Sequence, residues 1–270
     1  MEIAETRDNT LSNLWLHRAI LLLCLIVFAV RPPLAPFILL ALSIAGLCLK
    51  FDDAFLLGLT AALWLLLRTV PIISRLWVYT PLSLIAGLIA WKIVIRYSGT
   101  EKKTNRVIGK VSLAWIRKGD FGPKQVASIA IIAVISGIGL VLWYFIFKPD
   151  ISDILAKIRN VQLGVLIAAG VSWPIINASG EEFLWRGMIF DVLERTLLPA
   201  AAVISIQAVS FGAAHFHGFP RGASGIILAS IYGLMLGFVR KQANGLLAPI
   251  VAHAFADITI FLIVTSTLLV

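Results

Sequence analysis

The sequence predicts an all-α fold: a polytopic membrane helix bundle of about eight transmembrane helices. Three observations carry this. Of the 270 residues, 60% are apolar and only 14% charged, against nearer half and a quarter in soluble domains. Mean hydropathy is +0.96. The apolar residues also fall into runs approaching the roughly 20 residues that a membrane-spanning helix needs. The net charge of +9 is then no sign of nucleic acid. Nine Lys/Arg lie between Lys92 and Lys124, against only Glu101 and Asp120. Such clusters mark cytoplasmic loops facing anionic lipid. The expected setting is an integral, multi-pass protein of the plasma (cell) membrane, in contact with the bilayer.

The runs follow in order. Leu14–Val30 is the first, stopped by Arg31-Pro32-Pro33. Leu34–Leu49 and Ala54–Leu67 are short for spans, and Leu76–Ile95 is long enough. Residues 1–97 thus form an amino-terminal set of about four membrane helices. Residues 98–124 form a basic loop, expected to be cytoplasmic, in which Val111–Ile116 suits a short interfacial piece. Residues 125–270 hold the rest: Gln125–Phe147, a charged connector Pro149–Asn160, Val161–Arg195 interrupted by Pro174 and a Glu pair, then Leu198–His215, Gly222–Val239 and Leu246–Val270. Arg240-Lys241 agrees in side with the basic loop. Met1–Asn13 lacks the basic region and cleavage site of a secretory signal, so the first run is expected to remain as a helix. Cys24 and Cys48 lie in separate apolar runs and suggest packing, not a disulfide framework. There is no internal repeat.

Ionisable side chains in hydrocarbon are costly, and default to a functional reading with partners. Three fragments hold them: Glu181-Glu182-x-x-x-Arg186, Phe211-x-x-x-His215 and His253-x-x-x-Asp257. After Arg195 the last 75 residues contain one acid, Asp257, and three histidines. On a helix Glu182 and Arg186 are i,i+4 neighbours able to pair. Glu181 projects about 100° away, free to face a cavity as a general base toward water. The bland alternative is a charged helix end at the bilayer surface. His253 and Asp257 share a helix face, and a lone membrane histidine often only bridges helices. Together, these groups can do one of two things. They can hold a divalent metal such as zinc, with Glu181, His215 and His253 as candidate ligands, whose water becomes hydroxide. Alternatively they can activate water directly, with His253 and Asp257 stabilising an oxyanion. His217 belongs with the Gly218-Phe219-Pro220-Arg221 turn and reads as interfacial.

These three motifs, in this order on successive apolar helices, resemble the CAAX-protease and bacteriocin-processing (CPBP, or Abi) family of intramembrane endopeptidases. The likeness covers roughly Gln125–Val270 and extends to Phe183-Leu184-Trp185-Arg186-Gly187 and Leu246-Leu247-Ala248-Pro249-Ile250. It implies an endopeptidase cutting a peptide or membrane-associated protein near the bilayer. Glu181 would activate water that His215 orients, Glu182 and Arg186 would support the site, and His253 with residue 257 would stabilise the oxyanion. Asp257 stands where prenyl-processing members have Asn. An ionised Asp cannot donate to an oxyanion, so Asp257 would orient His253, stay protonated or ligate a cation. The family has been described both as metal-dependent and as glutamate-type.

Two other readings compete. Gly222-Ala223-Ser224-Gly225 fits a rhomboid-type serine protease, but the Ser and His helices are consecutive here, and a small-residue helix start explains the pattern. The zincin H-E-x-x-H is missing. A non-catalytic scaffold, immunity factor or transporter would place isolated charges at the midplane, without requiring Glu181, His215 and His253 to converge.

Overall fold

A computed structural model describes residues 2–76, 78–98, 111 and 113–268. Residues 99–110, the middle of the basic loop, and Ser112, inside the expected interfacial piece Val111–Ile116, lie outside the described residues. What is described is helical, with no β-strand.

The amino-terminal half runs α1 (Glu2–Val30), α2 (Ala35–Cys48), α3 (Asp52–Arg68), α4 (Pro71–Leu76) and α5 (Tyr79–Ser98). The carboxy-terminal half runs α6 (Pro123–Phe147), α7 (Ser152–Ile158), α8 (Leu163–Glu182), α9 (Phe190–Arg195), α10 (Ala200–Ala214), α11 (Gly222–Ala243) and α12 (Leu247–Ser266). Six stretches among the described residues are long and apolar enough to cross a membrane: Ser12–Val30, Pro123–Phe147, Leu163–Arg195, Ala200–His217, Gly222–Ala243 and Leu247–Ser266. The Ala35–Cys48 and Tyr79–Val94 helices are apolar but shorter. The chain is an integral membrane protein.

Local chemistry sets the helix ends. The Arg31-Pro32-Pro33 stop holds, with Arg31 at φ 52. Proline fixes φ and lacks an N–H, so it suits helix starts. Pro123 opens α6 in this way, behind Gly122, whose N–H donates to Gln125 Oε1 at 3.0 Å. Lys148 and Asn244 close α6 and α11 in the left-handed conformation. The charged connector contains the short helix α7, which Arg221 holds through Asp153.

The expected interruption of Val161–Arg195 takes an unexpected form. The chain stays helical from Leu163 to Arg195, with Pro174 inside α8 and a π-helical segment at Phe183–Ile189 joining α8 to α9. A π-segment widens the helix and re-aims the side chains that follow, often at functional sites. Here it begins directly after the Glu pair.

Small residues bring α10 and α11 together. A Cβ on Gly233 would press on Ala208, and one on Gly212 would meet Ile226 and Ser230. Close backbone approach of this kind drives helix association in lipid, and it carries the Gly233 carbonyl toward the core. At the other end, Gly119 at φ 77 crosses Gly245 so closely that neither has room for a Cβ. Asp120 N donates to Ala243 O at 2.7 Å and Leu246 N to Arg117 O at 2.9 Å. The end of the basic loop is thereby pinned to the α11–α12 turn. The main apolar core runs through both halves, from Leu21, Phe28 and Trp64 to Trp185, Phe190 and Phe211, with smaller clusters where α6 meets α11 and α12.

Candidate active site

α8 and the π-segment, packed between α11 and α12, hold the centre of the site. Glu182 and Arg186 are fully buried and paired, with Nη1 donating to Oε1 at 2.9 Å. The i,i+4 spacing on one helix puts them in reach of each other. The same Glu182 oxygen accepts a hydrogen bond from His253 Nδ1 on α12 at 2.7 Å. A carboxylate has only acceptor oxygens, so it takes both bonds. Arg186 is held by more than Glu182. Its Nη2 donates to the Gly233 carbonyl at 3.4 Å, and its guanidinium lies 4.4 Å from the centre of the Phe211 ring. Gln207 Nε2 shares the Gly233 carbonyl at 2.9 Å. The Arg186 carbonyl in turn accepts from buried Arg240 Nε at 2.9 Å.

Glu181 is arranged differently. Its side chain is 18% exposed, and its Oε2 sits 3.7 Å from His253 Nε2. Oε2 accepts no hydrogen bond among the described residues. Glu182 is therefore engaged through Oε1 in a buried network, with its own Oε2 unpaired, while its partly exposed neighbour holds an unpaired Oε2 beside an imidazole. His253 stands between them, its ring edge-on to Phe211 and Tyr232.

His215 lies at the end of α10, where its Nδ1 donates to the Phe211 carbonyl at 2.9 Å. A carbonyl only accepts, so Nδ1 carries the proton and Nε2 of the neutral ring is left with a free lone pair. The ring lies 4.5 Å from that of Phe211. Phe211 thus has His215, His253, Arg186 and Trp185 around it. The three sequence fragments meet at this ring.

Asp257 is close, but not as its spacing suggests. It shares a face with His253, yet its Oδ1 stays 3.9 Å from Nε2, beyond hydrogen-bond length. Its Oδ2 instead accepts from Asn177 Nδ2 at 3.0 Å. The carboxylate that hydrogen-bonds His253 is Glu182. Asn177, one turn before Glu181 on α8, escaped the motif reading. The signal was there: an amide in an apolar run, four residues ahead of an acid. Tyr232, Gln207 and Arg240 were also missed, because their partners lie on other helices.

Ser224 Oγ accepts from Trp143 Nε1 at 3.0 Å and faces the Arg221 carbonyl. Neither partner is a base, so this serine has no activated geometry. His217 is exposed, with its carbonyl accepting from Arg68 at 3.1 Å.

The residues do not fit a metal as they stand. Among the described residues no group of three or more His, Cys, Asp or Glu side chains is placed to hold one. Glu182 Oε1 already serves Arg186 and His253, and Asp257 Oδ2 serves Asn177.

Comparison with known proteins gave one family match. The model of the Rce1-like family, type II CAAX prenyl endopeptidase Rce1-like, matches residues 160–259. Neither curated proteins nor solved structures gave a match to the chain. The matched segment contains Glu181, Glu182, Arg186, His215, His253 and Asp257, among them the three side chains packed around Phe211, namely Arg186, His215 and His253. Over residues 160–259 the chain is thus similar to the Rce1-like CAAX prenyl endopeptidase family.

Proposed function

We propose that this protein is an intramembrane endopeptidase of the glutamate type, cutting a peptide or membrane-associated protein at the cell membrane. The observation that carries the reading is the asymmetry of the Glu pair. Glu182 is fully buried and locked through Oε1 to Arg186 and His253, while the partly exposed Glu181 makes no ion pair with Arg186 and holds its Oε2 at 3.7 Å from His253 Nε2.

Glu181 acts as general base toward a water, a role worth roughly 10²–10⁴-fold in rate. The water gives its proton to Glu181 and its oxygen attacks the scissile carbonyl carbon. The resulting oxyanion is met by His253, whose ring is held by the Glu182 contact. A preorganised donor in a dry site is the usual way to stabilise such charge. Collapse of the intermediate breaks the C–N bond, and the proton held by Glu181 passes to the leaving amine. His215, with Nε2 free to accept, orients the water. Asp257, through Asn177, fixes α12 against α8. No step is routed through a metal, since no three His, Cys, Asp or Glu side chains converge to hold one among the described residues.

A cleavage assay with the full-length protein in proteoliposomes tests this. Glu181→Gln should reduce cleavage by about 10²–10⁴-fold with an unchanged thermal midpoint, and a chelator should leave the wild-type rate intact. Wild-type cleavage by Glu181→Gln would remove the base assignment, and loss of activity with chelator would replace the glutamate-type reading by a metal-dependent one.

A further inference from the structure

A second group of charges lies beside the His215 turn, contributed entirely by the amino-terminal half. Arg31, in the turn after α1, donates from Nη2 to the carbonyl of Ala214 at 2.8 Å. Arg68, at the end of α3, donates from Nη2 to the carbonyl of His217 at 3.1 Å. The two guanidinium groups thus bracket the three residues that carry His215. They also share one aromatic platform: the Trp64 ring centre lies 4.8 Å from the Arg31 guanidinium carbon and 5.5 Å from that of Arg68. The platform is rigid. Trp64 is edge-on to Phe28 and Tyr79, and its Nε1 donates to Thr80 Oγ1 at 3.0 Å.

What this group lacks is an anion. Among the described residues no Asp or Glu lies within ion-pair distance of either arginine. Nε and Nη1 of Arg31 are buried without a hydrogen-bond partner. Burial, and then the neighbouring Arg68 charge, hold the Arg31 guanidinium down at about 10, so it stays protonated at neutral pH. Unpaired buried donors are costly, and like charges on one platform repel. Arg68 and His215 are both partly exposed, which leaves the group open to a ligand arriving at the site. An aromatic chain, Trp64 to Phe28 to Trp185 to Phe211, joins this platform to the catalytic side chains.

We propose that Arg31 and Arg68, on either side of Trp64, form a carboxylate-binding subsite that positions an acidic group of the peptide substrate beside His215. Guanidinium groups recognise carboxylates through charge-assisted, often bidentate hydrogen bonds. The acidic group is either a free chain terminus or an Asp/Glu side chain of the substrate. The subsite rests on the endopeptidase reading for its purpose, though not for its existence.

The test measures binding without turnover, using full-length Glu181→Gln protein in micelles and three fluorescent peptides. One is acetyl-Ala-Leu-Leu-Leu with a free carboxylate, one is its amide, and one is the amide with Glu replacing the third residue. The expected result is at least about tenfold tighter binding of one or both acidic peptides than of the neutral amide. Tighter binding of the first assigns the subsite to a chain terminus, and of the third to a side chain. Arg68→Gln, at a partly exposed position, should reduce the preference to about twofold or less. Arg31→Gln should do the same, and Arg31→Lys should restore part of it. Equal binding of all three peptides, or a preference that survives both Gln substitutions, overturns the proposal. A preference present in a protein whose wild type cleaves nothing would leave the subsite standing and remove the peptidase reading instead.

Discussion

Among the described residues each half of the molecule buries one imidazole–carboxylate hydrogen bond, and the two are nearly equal in length. In the amino-terminal half His17 Nε2 meets Asp53 Oδ1 at 2.8 Å. In the carboxy-terminal half His253 Nδ1 meets Glu182 Oε1 at 2.7 Å. The first is closed. Both side chains are at most 1% exposed, the Phe51 ring lies 4.7 Å from that of His17, and Asp53 Oδ1 also accepts from the Ala54 N–H at 2.7 Å. No further carboxylate or cation joins it in an ion pair among the described residues. It ties α1 to the start of α3. The second is open at one end. Arg186 extends it inward, while Glu181, whose side chain is 18% exposed, brings an unpaired oxygen to 3.7 Å from His253 Nε2. Cost in hydrocarbon alone therefore does not separate a site from a brace. Both leave buried atoms unpaired, and what separates them is that only the second extends to a partly exposed carboxylate.

Breaking each network tests this contrast. Glu182→Gln carries the largest expected effect. It strips the charge from the partner of fully buried Arg186, and an uncompensated buried ion costs about 3–5 kcal/mol. Thermal unfolding in detergent should show a drop of several degrees, and the folded fraction should cleave poorly because His253 loses its anchor. His17→Leu should lower stability as well, by about 1–3 kcal/mol for the buried acceptor left on Asp53, with cleavage per folded molecule unchanged. The double variant His17→Leu/Asp53→Leu should recover most of that loss, since replacing both partners by apolar groups is often neutral. If His17→Leu abolishes cleavage in folded protein, the amino-terminal pair is coupled to the site and the contrast fails.

Much of the carboxy-terminal site was legible in the sequence because its first contacts are local. Glu182 with Arg186, and His215 with the carbonyl of Phe211, are both four residues apart on one helix, and helical spacing alone brings them together. The partner of His253 was not legible for the opposite reason. The same rule pointed to Asp257, but α12 packs against α8 so that Glu182, 71 residues away in sequence, is nearer than the side chain one turn along. Arg31, Gly233 and Arg240 reach the site only across helix–helix interfaces. No periodicity encodes those contacts. The brace was missed because His17 and Asp53 lie near the ends of their apolar runs, where a charged residue reads as interfacial. The fold class came through strongly, since hydrocarbon length and composition restrict a chain to few solutions. The π-segment did not, because it adds a residue to a helix without changing its apolar pattern.

The smallest expected effect concerns Asp257, which belongs to neither extreme of the comparison. It is buried like the brace, yet it lies 3.9 Å from the imidazole that Glu181 approaches on the same nitrogen. Its hydrogen-bond partner is Asn177 Nδ2, a donor that needs only an acceptor oxygen. Asp257→Asn keeps such an oxygen and nearly the same shape, so cleavage should stay within about tenfold of wild type, one lost charge–dipole contact being worth about 1 kcal/mol. Asp257→Leu leaves the Asn177 amide buried without its acceptor, at about 1–3 kcal/mol, and loosens α12 against α8 where His253 must be held. Its cleavage should fall by one to two powers of ten at most, about what that energy allows. The comparison is sharpened by the ratio of the two. A mild Asn variant with an impaired Leu variant makes Asp257 a positioning residue acting through Asn177. Equal damage in both would mean that the negative charge beside His253 is what matters, and Asp257 would move into the catalytic group. Wild-type cleavage by Asp257→Leu would place it with His17 and Asp53, as part of the scaffold.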